Sequence, residues 1–194
     1  MIAFVSGSDL SAIRELLDEL PDRIPMVFKV QREDYKKLIK SGFQLKRMRS
    51  FYTYSCFESI PITEINEIIE ETELNNSLLP LWSNNGYDPQ QLNQMFELGA
   101  RSYTLYKAGE PVSTCLTFYN YAKVWEIGAV YTPEEHRGKG YAKKVVATAV
   151  NRLLEKELLP RYQVLDSNLS SIKVAESLGL SRVVTLEHLY YDGS

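Results

Sequence analysis

Residues 137–142 combine two glycines with two basic side chains, a composition suited to binding an anion. Gly138 and Gly140 lack Cβ atoms, so the backbone can turn tightly there and bring its N–H groups close to a ligand. Arg137 and Lys139 add positive charge beside those N–H groups. The stretch lies between a strand pattern and a helix pattern, and the unpaired N–H groups at a helix start attract anions. The pattern therefore predicts a site for a pyrophosphate.

The same stretch has other interpretations. Taken alone, a basic glycine pair is also typical of an ordinary turn before a helix. It does not match the Walker loop, which places four residues between its first glycine and Gly-Lys-Ser/Thr, nor the G-x-G-x-x-G of a dinucleotide-binding fold. A phosphate-binding α/β domain of another kind therefore stays open as an interpretation at this point.

Glu126 is the second candidate for chemistry, because it interrupts an otherwise apolar strand pattern at residues 124–130. A charge within such a strand is unusual and needs a reason. Burial would raise the pKa of its carboxyl group, which suits a base that works near neutral pH. The alternative is a structural acid that pairs with a neighbouring Arg, Lys or Tyr side chain.

The elements that position these residues follow the mixed patterns of an α/β fold. The first third reads strand, helix, strand, helix, strand, with its first two strands at Ile2–Val5 and Met26–Val30. One helix is predicted at residues 63–71 and another from Asp88 to Gly99. The remaining predictions are strands at 101–107, 111–118 and 122–132, a helix at 141–154, a strand at 161–165, a helix at 168–178 and one or two strands at 181–191.

Two stretches of the chain also resemble each other. Each begins with an X-Pro pair and continues through a strand and a helix to a glycine. A tyrosine follows that glycine by twelve residues. The first contains Pro25, Gly42 and Tyr54, and the second contains Pro160, Gly179 and Tyr191. This likeness predicts a degenerate repeat, although similar βαβ units also arise independently.

Residues 137–142 belong to a longer pattern that includes a second motif. Arg137-Gly138-Lys139-Gly140-Tyr141-Ala142 matches R/Q-x-x-G-x-G/A, and Asn168-Leu169-Ser170-Ser171 through Leu178-Gly179-Leu180 is similar to N-x-x-S/A followed by a helix and L-G-F. Both motifs, in this order and spacing, are signatures of the GNAT superfamily of N-acetyltransferases. The chain resembles that superfamily from about Cys56 to Tyr191.

The resemblance implies a central mixed β-sheet flanked by helices, with two strands splayed apart at the coenzyme site. Residues 56–194 would form the catalytic GNAT domain. Residues 1–55 would be a degenerate half-domain of βαβαβ pattern that extends the sheet, as in tandem members distantly like the glycine N-acyltransferases. Their equivalent of the phosphate loop, Ser6-Gly7-Ser8-Asp9, has no basic residue, so we expect a structural role for them.

The resemblance also implies an activity, the direct transfer of an acetyl group from acetyl-CoA to an amine of a small molecule, amino-acid derivative or peptide. Glu126 lies eleven residues before Arg137, the spacing of the catalytic glutamate in histone-acetylating members, and would be the base. The strand edge at residues 129–131 would pair with the pantetheine arm. The predicted acetyl-CoA contacts are Ala129, Val130, Tyr131, Arg137, Gly138, Lys139, Gly140, Tyr141, Ala142, Asn168 and Ser171. Asn168 is also a good helix N-cap.

One position departs from the family pattern. Many members carry a tyrosine in the helix of the second motif that protonates the leaving thiolate, but that position here is Ala175. Tyr131, Tyr190, Tyr191 or water would have to replace it. The departure keeps a second interpretation open, a catalytically inactive acyl-CoA-binding module.

The resemblance also places the acceptor side within residues 61–100, which carry seven acidic residues and no Lys or Arg. Together with Trp82, Asn84, Asn85 and Tyr87, this segment would wall the acceptor pocket and attract a cationic amine. Alternatively, its glutamates form the solvated face of a helix. The sequence specifies neither the acceptor nor the acyl chain length.

The composition limits the remaining function classes. A net charge of −3 and a pI near 5.5 argue against general nucleic-acid binding. No stretch has the length and apolarity of a membrane span, and the first residues lack a signal-peptide pattern. Two cysteines and two histidines argue against a metal site. We therefore expect a cytoplasmic protein without a metal, and its oligomeric state stays open, a homodimer included.

Overall fold

The computed structural model describes residues 1–21, 23–62 and 67–194. In chain order these residues form β1 (Ile2–Val5), α1 (Leu10–Asp18), β2 (Met26–Val30), α2 (Glu33–Gly42), β3 (Arg47–Ser55), β4 (Ile68–Glu71), α3 (Leu79–Ser83), α4 (Pro89–Glu97), β5 (Arg101–Lys107), β6 (Glu110–Tyr121), β7 (Val124–Tyr131), α5 (Tyr141–Glu155), β8 (Leu159–Leu165), α6 (Leu169–Ser177) and β9 (Ser181–Tyr191). Short 3-10 turns lie at Asn76–Leu78 and Glu134–His136. None of the described helices has the length and apolarity needed to cross a membrane.

The elements divide into two compact units, each made of separate chain segments. The first unit comprises Met1–Thr53, Val164–Asn168 and Arg182–Ser194, and the second comprises Tyr54–Gln163 and Leu169–Ser181. The units therefore interleave along the chain. The assignment of residues 1–55 as a degenerate half-domain and of residues 56–194 as the catalytic domain stays a prediction.

The first unit is a mixed sheet with two helices against one face. Its strand order is β1-β2-β9-β3, with β1 parallel to β2 and β2 antiparallel to β9. The first two strands have the predicted bounds, Ile2–Val5 and Met26–Val30. The core lies between the sheet and helices α1 and α2, where alternating strand positions meet one face of each helix. Its buried members are Ile13, Leu17, Met26, Phe28, Val30, Tyr35, Ile39 and Leu189.

The second unit has helices on both faces of its sheet. Strands β4, β5, β6 and β7 are antiparallel neighbours, and β8 runs parallel to β7. Helix α5 packs on one face, where the Cys115 thiol donates to the Val145 carbonyl at 3.4 Å. Neighbouring strand residues point to opposite faces, and Leu116 accordingly packs on the other face with α3 and α4. The buried members of that second core are Leu78, Trp82, Leu92, Phe96, Ala100, Leu116 and Ala129.

The helix predicted at residues 63–71 is wrong where the structure describes this segment. Residues 63–66 lie outside the described ranges, and Ile68–Glu71 form the strand β4. This strand pairs with β5 from Ile68–Leu105 to Glu71–Ser102. The acidic spacing suggested a solvated helical face, but tertiary pairing with β5 overrides such local preferences.

Candidate active site

The predicted phosphate loop follows β7 and precedes α5. A 3-10 turn at Glu134–His136 leads into it, and the Arg137 Nε group donates to the Thr132 carbonyl at 3.1 Å. Gly138 and Gly140 both adopt a φ of 76°, a left-handed conformation that glycine adopts without steric cost. A Cβ atom on either glycine would have no other atom within 4 Å. The loop therefore presents an open backbone surface.

Helix α5 begins at this loop without a capping side chain. Gly140 occupies the N-cap position, and its carbonyl accepts a hydrogen bond from the Lys144 N–H at 3.2 Å. The N–H groups of the first turn and the positive end of the helix dipole are thus directed at the loop. Arg137 and Lys139 are exposed beside it. These features suit a pyrophosphate, which stays the predicted ligand of residues 137–142.

The ladder between strands β7 and β8 covers only the first part of β7. Their described ladder runs from Val124–Leu159 to Ile127–Tyr162, whereas β7 itself continues to Tyr131. Residues 128–131 therefore extend beyond the last ladder pair, and their edge groups can pair with a ligand instead. A splay of the two strands at the coenzyme site stays a prediction.

A bulge in β7 lies at the same place. Ala129 and Val130 together oppose one residue of β6, Cys115, because the register shifts there. Ala129 has a φ of 50°, a conformation that costs a residue with a Cβ atom about 1–3 kcal/mol. Bulges re-aim backbone groups, so this one changes the direction of the amides of Val130 and Tyr131. The strain lies within the segment that is predicted to contact the thioester.

The segment after α3 lies against the end of β7. The Asn85 side-chain amide donates to the Val130 carbonyl at 3.3 Å, and the Asn84 amide donates to the Tyr131 hydroxyl at 3.4 Å. Trp82 is fully buried in the core beneath them. Asn84 and Asn85, two residues of the predicted acceptor wall, therefore contact the predicted donor strand, whereas Trp82 is part of the buried core.

Glu126 is buried, with 8% of its surface exposed. Its Oε2 atom accepts hydrogen bonds from the Arg161 guanidinium and, at 3.2 Å, from the Asn120 side-chain amide. Burial raises the pKa of the Glu126 carboxyl group, while the charge and the hydrogen bond of Arg161 act in the opposite direction. The structure thus combines the ion pair that the sequence left as an alternative with the burial and raised pKa that a base requires.

Tyr87 completes the surroundings of Glu126. Burial raises the pKa of its phenol and the charge of Glu126 raises it further, although the backbone of Ala129 hydrogen-bonds the phenol oxygen. The same oxygen lies over Gly128, where a Cβ atom would be 3.3 Å from it and 3.0 Å from Phe118 Cε1. Close packing by Tyr87 and Phe118 therefore favours glycine at position 128.

Gly128→Ala is expected to lower the free energy of unfolding by about 1–3 kcal/mol, because the added methyl group overpacks Phe118 and Tyr87. Chemical denaturation of the variant and the wild type measures the difference. Gly42→Ala, at the end of α2, is the matched control, because a Cβ atom there meets no atom within 4 Å and alanine favours a helix. Equal unfolding free energies for wild type and Gly128→Ala would contradict the expected overpacking.

The second motif supplies one predicted residue to each unit. Asn168 belongs to the first unit and directly precedes α6, and its N–H donates to the Leu165 carbonyl at 2.8 Å. Ser171 belongs to the second unit, where its side chain lies beside the Tyr162 phenol. Burial raises the pKa of Tyr162 to about 12, so this phenol keeps its proton at neutral pH. The contacts of Asn168 and Ser171 with a pantetheine arm stay predictions.

No proton donor is present at the usual position in α6, where Ala175 is fully buried. Among the tyrosines considered as substitutes, Tyr191 packs against the core of the first unit. The ring of Tyr190, also in the first unit, lies 5.7 Å from the Arg47 guanidinium. Tyr131 lies on the same strand as Glu126, with its hydroxyl beside Asn84. Of these three tyrosines, Tyr131 is therefore the nearest to Glu126 along the chain.

The acidic block is engaged in structural contacts where it is described. Glu70 forms ion pairs with Arg101, Arg152 and Lys156 at 3.1 to 3.5 Å. Glu71 accepts hydrogen bonds from Ser102 and Asn75. Within the second unit Glu70 is therefore neutralised by cations and Glu71 is held by neutral hydrogen-bond donors, so these contacts lend no support to an acidic wall that attracts the acceptor.

Arg161 and Gln163 are not among the site residues predicted from the sequence. Arg161 lies opposite Glu126 in the parallel register of β7 and β8, and Gln163 follows two residues later on the same face. A signal was present, because Arg161 interrupts an apolar strand as Glu126 does, with the opposite charge. The register that joins them is a tertiary property, and no local pattern specifies it.

Comparison with known families gives a match over most of the chain. Residues 24–188 match the family model described as GNAT acetyltransferase. No curated protein matches the sequence.

Solved structures of the same fold are numerous and distant in sequence. A GNAT-family protein from Novosphingobium aromaticivorans is 16% identical with a TM-score of 0.63, over 93% of this chain and 80% of that one. A GCN5-related N-acetyltransferase from Kribbella flavida is 14% identical with a TM-score of 0.64, over 95% and 74%. A tandem GNAT protein from the clavulanic acid biosynthesis pathway is 13% identical with a TM-score of 0.64, over 95% and 68%. At these identities the likeness establishes the fold.

Proposed function

Because the chain belongs to the GNAT acetyltransferase family, we propose that it transfers an acetyl group from acetyl-CoA directly to an amine of a small molecule, amino-acid derivative or peptide. One observation carries the proposal. A single strand, β7, connects the buried Glu126 carboxylate to the open glycine loop through a bulged edge that extends beyond its ladder with β8.

The residues present fit the donor. The open backbone at Gly138 and Gly140 and the uncapped start of α5 suit the pyrophosphate, with Arg137 and Lys139 supplying charge. Residues 129–131 supply strand-edge groups for the amides of the pantetheine arm. Bound acetyl-CoA supplies a thioester, whose carbonyl carbon accepts the amine nitrogen.

The chain's own groups then divide the work of acyl transfer. Glu126 takes one proton from the acceptor ammonium, and the freed amine nitrogen forms its bond to the carbonyl carbon and then releases a second proton to water. The amide of Val130 or Tyr131 stabilises the charge that develops on the carbonyl oxygen. The carbon–sulfur bond breaks, and the thiolate takes a proton from Tyr131 or from water. The products are an N-acetylated acceptor and coenzyme A.

The second candidate function is an acyl-CoA-binding module without catalysis. It is favoured by Ala175, which removes the usual proton donor, and by the Arg161 guanidinium on the proposed base. Both candidates share the donor site, so they differ in turnover and not in acetyl-CoA binding.

Calorimetric titration with acetyl-CoA, with ATP and inorganic phosphate as controls, tests the donor site. Release of coenzyme A thiol in the presence of an amine panel then tests transfer. Selective acetyl-CoA binding with amine-dependent thiol release supports the enzyme, and selective binding without release supports the module. A folded protein that binds acetyl-CoA no better than ATP would contradict both.

We also propose the reducing cytoplasm as the location. Cys56 and Cys115 are both free thiols, which is typical of proteins in that compartment. Labelling of the partly exposed Cys56 thiol by a membrane-impermeant reagent, which should occur after lysis and not in intact cells, would test this location.

A further inference from the structure

The ion pair beside the proposed base is formed across two parallel strands. Glu126 and Arg161 are ladder partners, so their side chains leave β7 and β8 on the same face. Both are largely withdrawn from solvent, with 10% of the Glu126 side chain and 19% of the Arg161 side chain exposed. The guanidinium therefore lies directly beside the carboxylate that is proposed to receive the acceptor's proton.

Several hydrogen-bond donors surround the Glu126 carboxylate on this face of the sheet. A guanidinium has five N–H groups, and in the described part of the chain Arg161 uses its Nη1 group for Glu126. Asn120 donates to the same Oε2 atom. Gln163 points to this face as well, and its buried side-chain nitrogen has no partner among the described residues. Buried donors without acceptors are costly, so this arrangement is suited to an oxygen-rich anion.

We propose that Arg161 and Gln163 bind the carboxylate of the acceptor, and that the acceptor is an α-amino acid whose amine lies at Glu126. This inference rests on the proposed function for the identity of the reaction. An α-amino acid carries both charged groups on one carbon, and side chains on neighbouring strands start about 4.8 Å apart. One small zwitterion can therefore reach both members of the pair.

Binding of such an acceptor rearranges the ion pair in a way that favours the reaction. The incoming carboxylate takes guanidinium donors that otherwise serve Glu126, and a planar guanidinium binds a carboxylate through two parallel bonds. Glu126 then loses part of its partner while the acceptor's ammonium arrives beside it. The carboxylate of the acceptor thus frees the base that deprotonates the amine of the same molecule.

The first test compares matched acceptors. Each of the twenty protein amino acids is assayed beside its primary amide, which keeps the amine and removes the negative charge, and acetyl transfer is followed by thiol release and product mass. At least one amino acid is expected to exceed its amide in kcat/KM by about tenfold or more, the contribution of a hydrogen bond to a charged group. Arg161→Met should reduce that ratio toward one, and Arg161→Lys, which keeps the charge without the fork, should reduce it in part. Amides that react as well as their amino acids would overturn the inference.

The second test does not need turnover. Calorimetric binding of the preferred amino acid, or of all twenty in turn where none reacts, is compared between Glu126→Gln and Glu126→Gln/Arg161→Met. The single variant keeps Arg161 for the carboxylate and should still bind the amino acid, whereas the double variant should bind it about tenfold more weakly than the single variant. Circular dichroism and thermal unfolding confirm that each variant is folded.

The two tests separate the inference from the function on which it rests. A wild type that acetylates amines without regard to a carboxylate keeps the proposed function and overturns the inference. A wild type that acetylates no amine, together with Arg161-dependent amino-acid binding in Glu126→Gln, overturns the proposed function and keeps the binding site. Equal amino-acid binding by the single and double variants shows a purely structural Arg161 and overturns the inference.

Discussion

Glu126→Gln is expected to lower kcat by about 10²- to 10⁴-fold and to leave the affinity for acetyl-CoA unchanged. Glutamine keeps the size and hydrogen-bonding shape of glutamate but cannot accept the acceptor's proton. The donor contacts are proposed at residues 129–131 and in the loop at residues 137–142, which the substitution does not change. Thiol release under saturating acetyl-CoA measures kcat, and calorimetry measures the affinity for acetyl-CoA.

The pH profile makes this expectation more specific. Burial raises the pKa of Glu126, and a base works only in its deprotonated form, so wild-type activity should fall as the pH falls through that raised pKa. The acidic limb should be absent from the residual activity of Glu126→Gln. Glu97→Gln, at an exposed glutamate at the end of α4, is the control and should keep both the rate and the limb. A Glu126→Gln enzyme with the wild-type rate and profile would exclude Glu126 as the base.

Gly140→Asp is expected to weaken acetyl-CoA binding by about 100-fold or more. The new carboxylate would lie at the N-cap of α5, where it accepts hydrogen bonds from the helix N–H groups that are proposed to hold the pyrophosphate. Its negative charge would also repel the pyrophosphate. The positive φ of this position adds backbone strain in any residue with a Cβ atom. Calorimetric titration of the folded variant with acetyl-CoA measures the loss.

The same substitution at a second glycine distinguishes the effect of a new charge at the loop from the effect of backbone strain on acetyl-CoA affinity. Gly109 lies in the turn between β5 and β6 with a φ of 84°, and a Cβ atom there also has no other atom within 4 Å. Gly109→Asp therefore carries the same change in a similar conformation, outside the loop at residues 137–142. Its acetyl-CoA affinity should match the wild type. Undiminished binding by Gly140→Asp would place the donor site elsewhere on the chain.

Much of the fold could be predicted from local pattern. The bounds of β1 and β2 follow from short apolar runs, and α5 follows from a stripe of apolar residues that the structure buries. The segment at Ile68–Glu71 could not be predicted in this way. Its acidic residues have helical spacing, but they lie in a strand because β5 offers an edge and because cations distant in sequence pair with Glu70.

In the candidate site, too, some features could be predicted from local pattern and others depend on tertiary structure. Charge within an apolar strand was enough to indicate the burial of Glu126, and two glycines were enough to indicate the open loop. The positive φ of Ala129 could not be predicted, because alanine has no preference for that conformation and the bulge imposes it. Arg161 was missed for a related reason, since only the register of β7 against β8 brings it to Glu126.

The place of β9 has a consequence for synthesis on the ribosome. This strand lies between β2 and β3, yet it is the last element of the chain. A nascent polypeptide that has already made β1, α1, β2, α2 and β3 therefore leaves the β2 edge without its antiparallel neighbour until β9 has also been made. The core around Phe28 and Leu189 can close only then. Such a delayed closure exposes an apolar strand edge during elongation, so we expect the emerging N-terminal segment to be a target for chaperones.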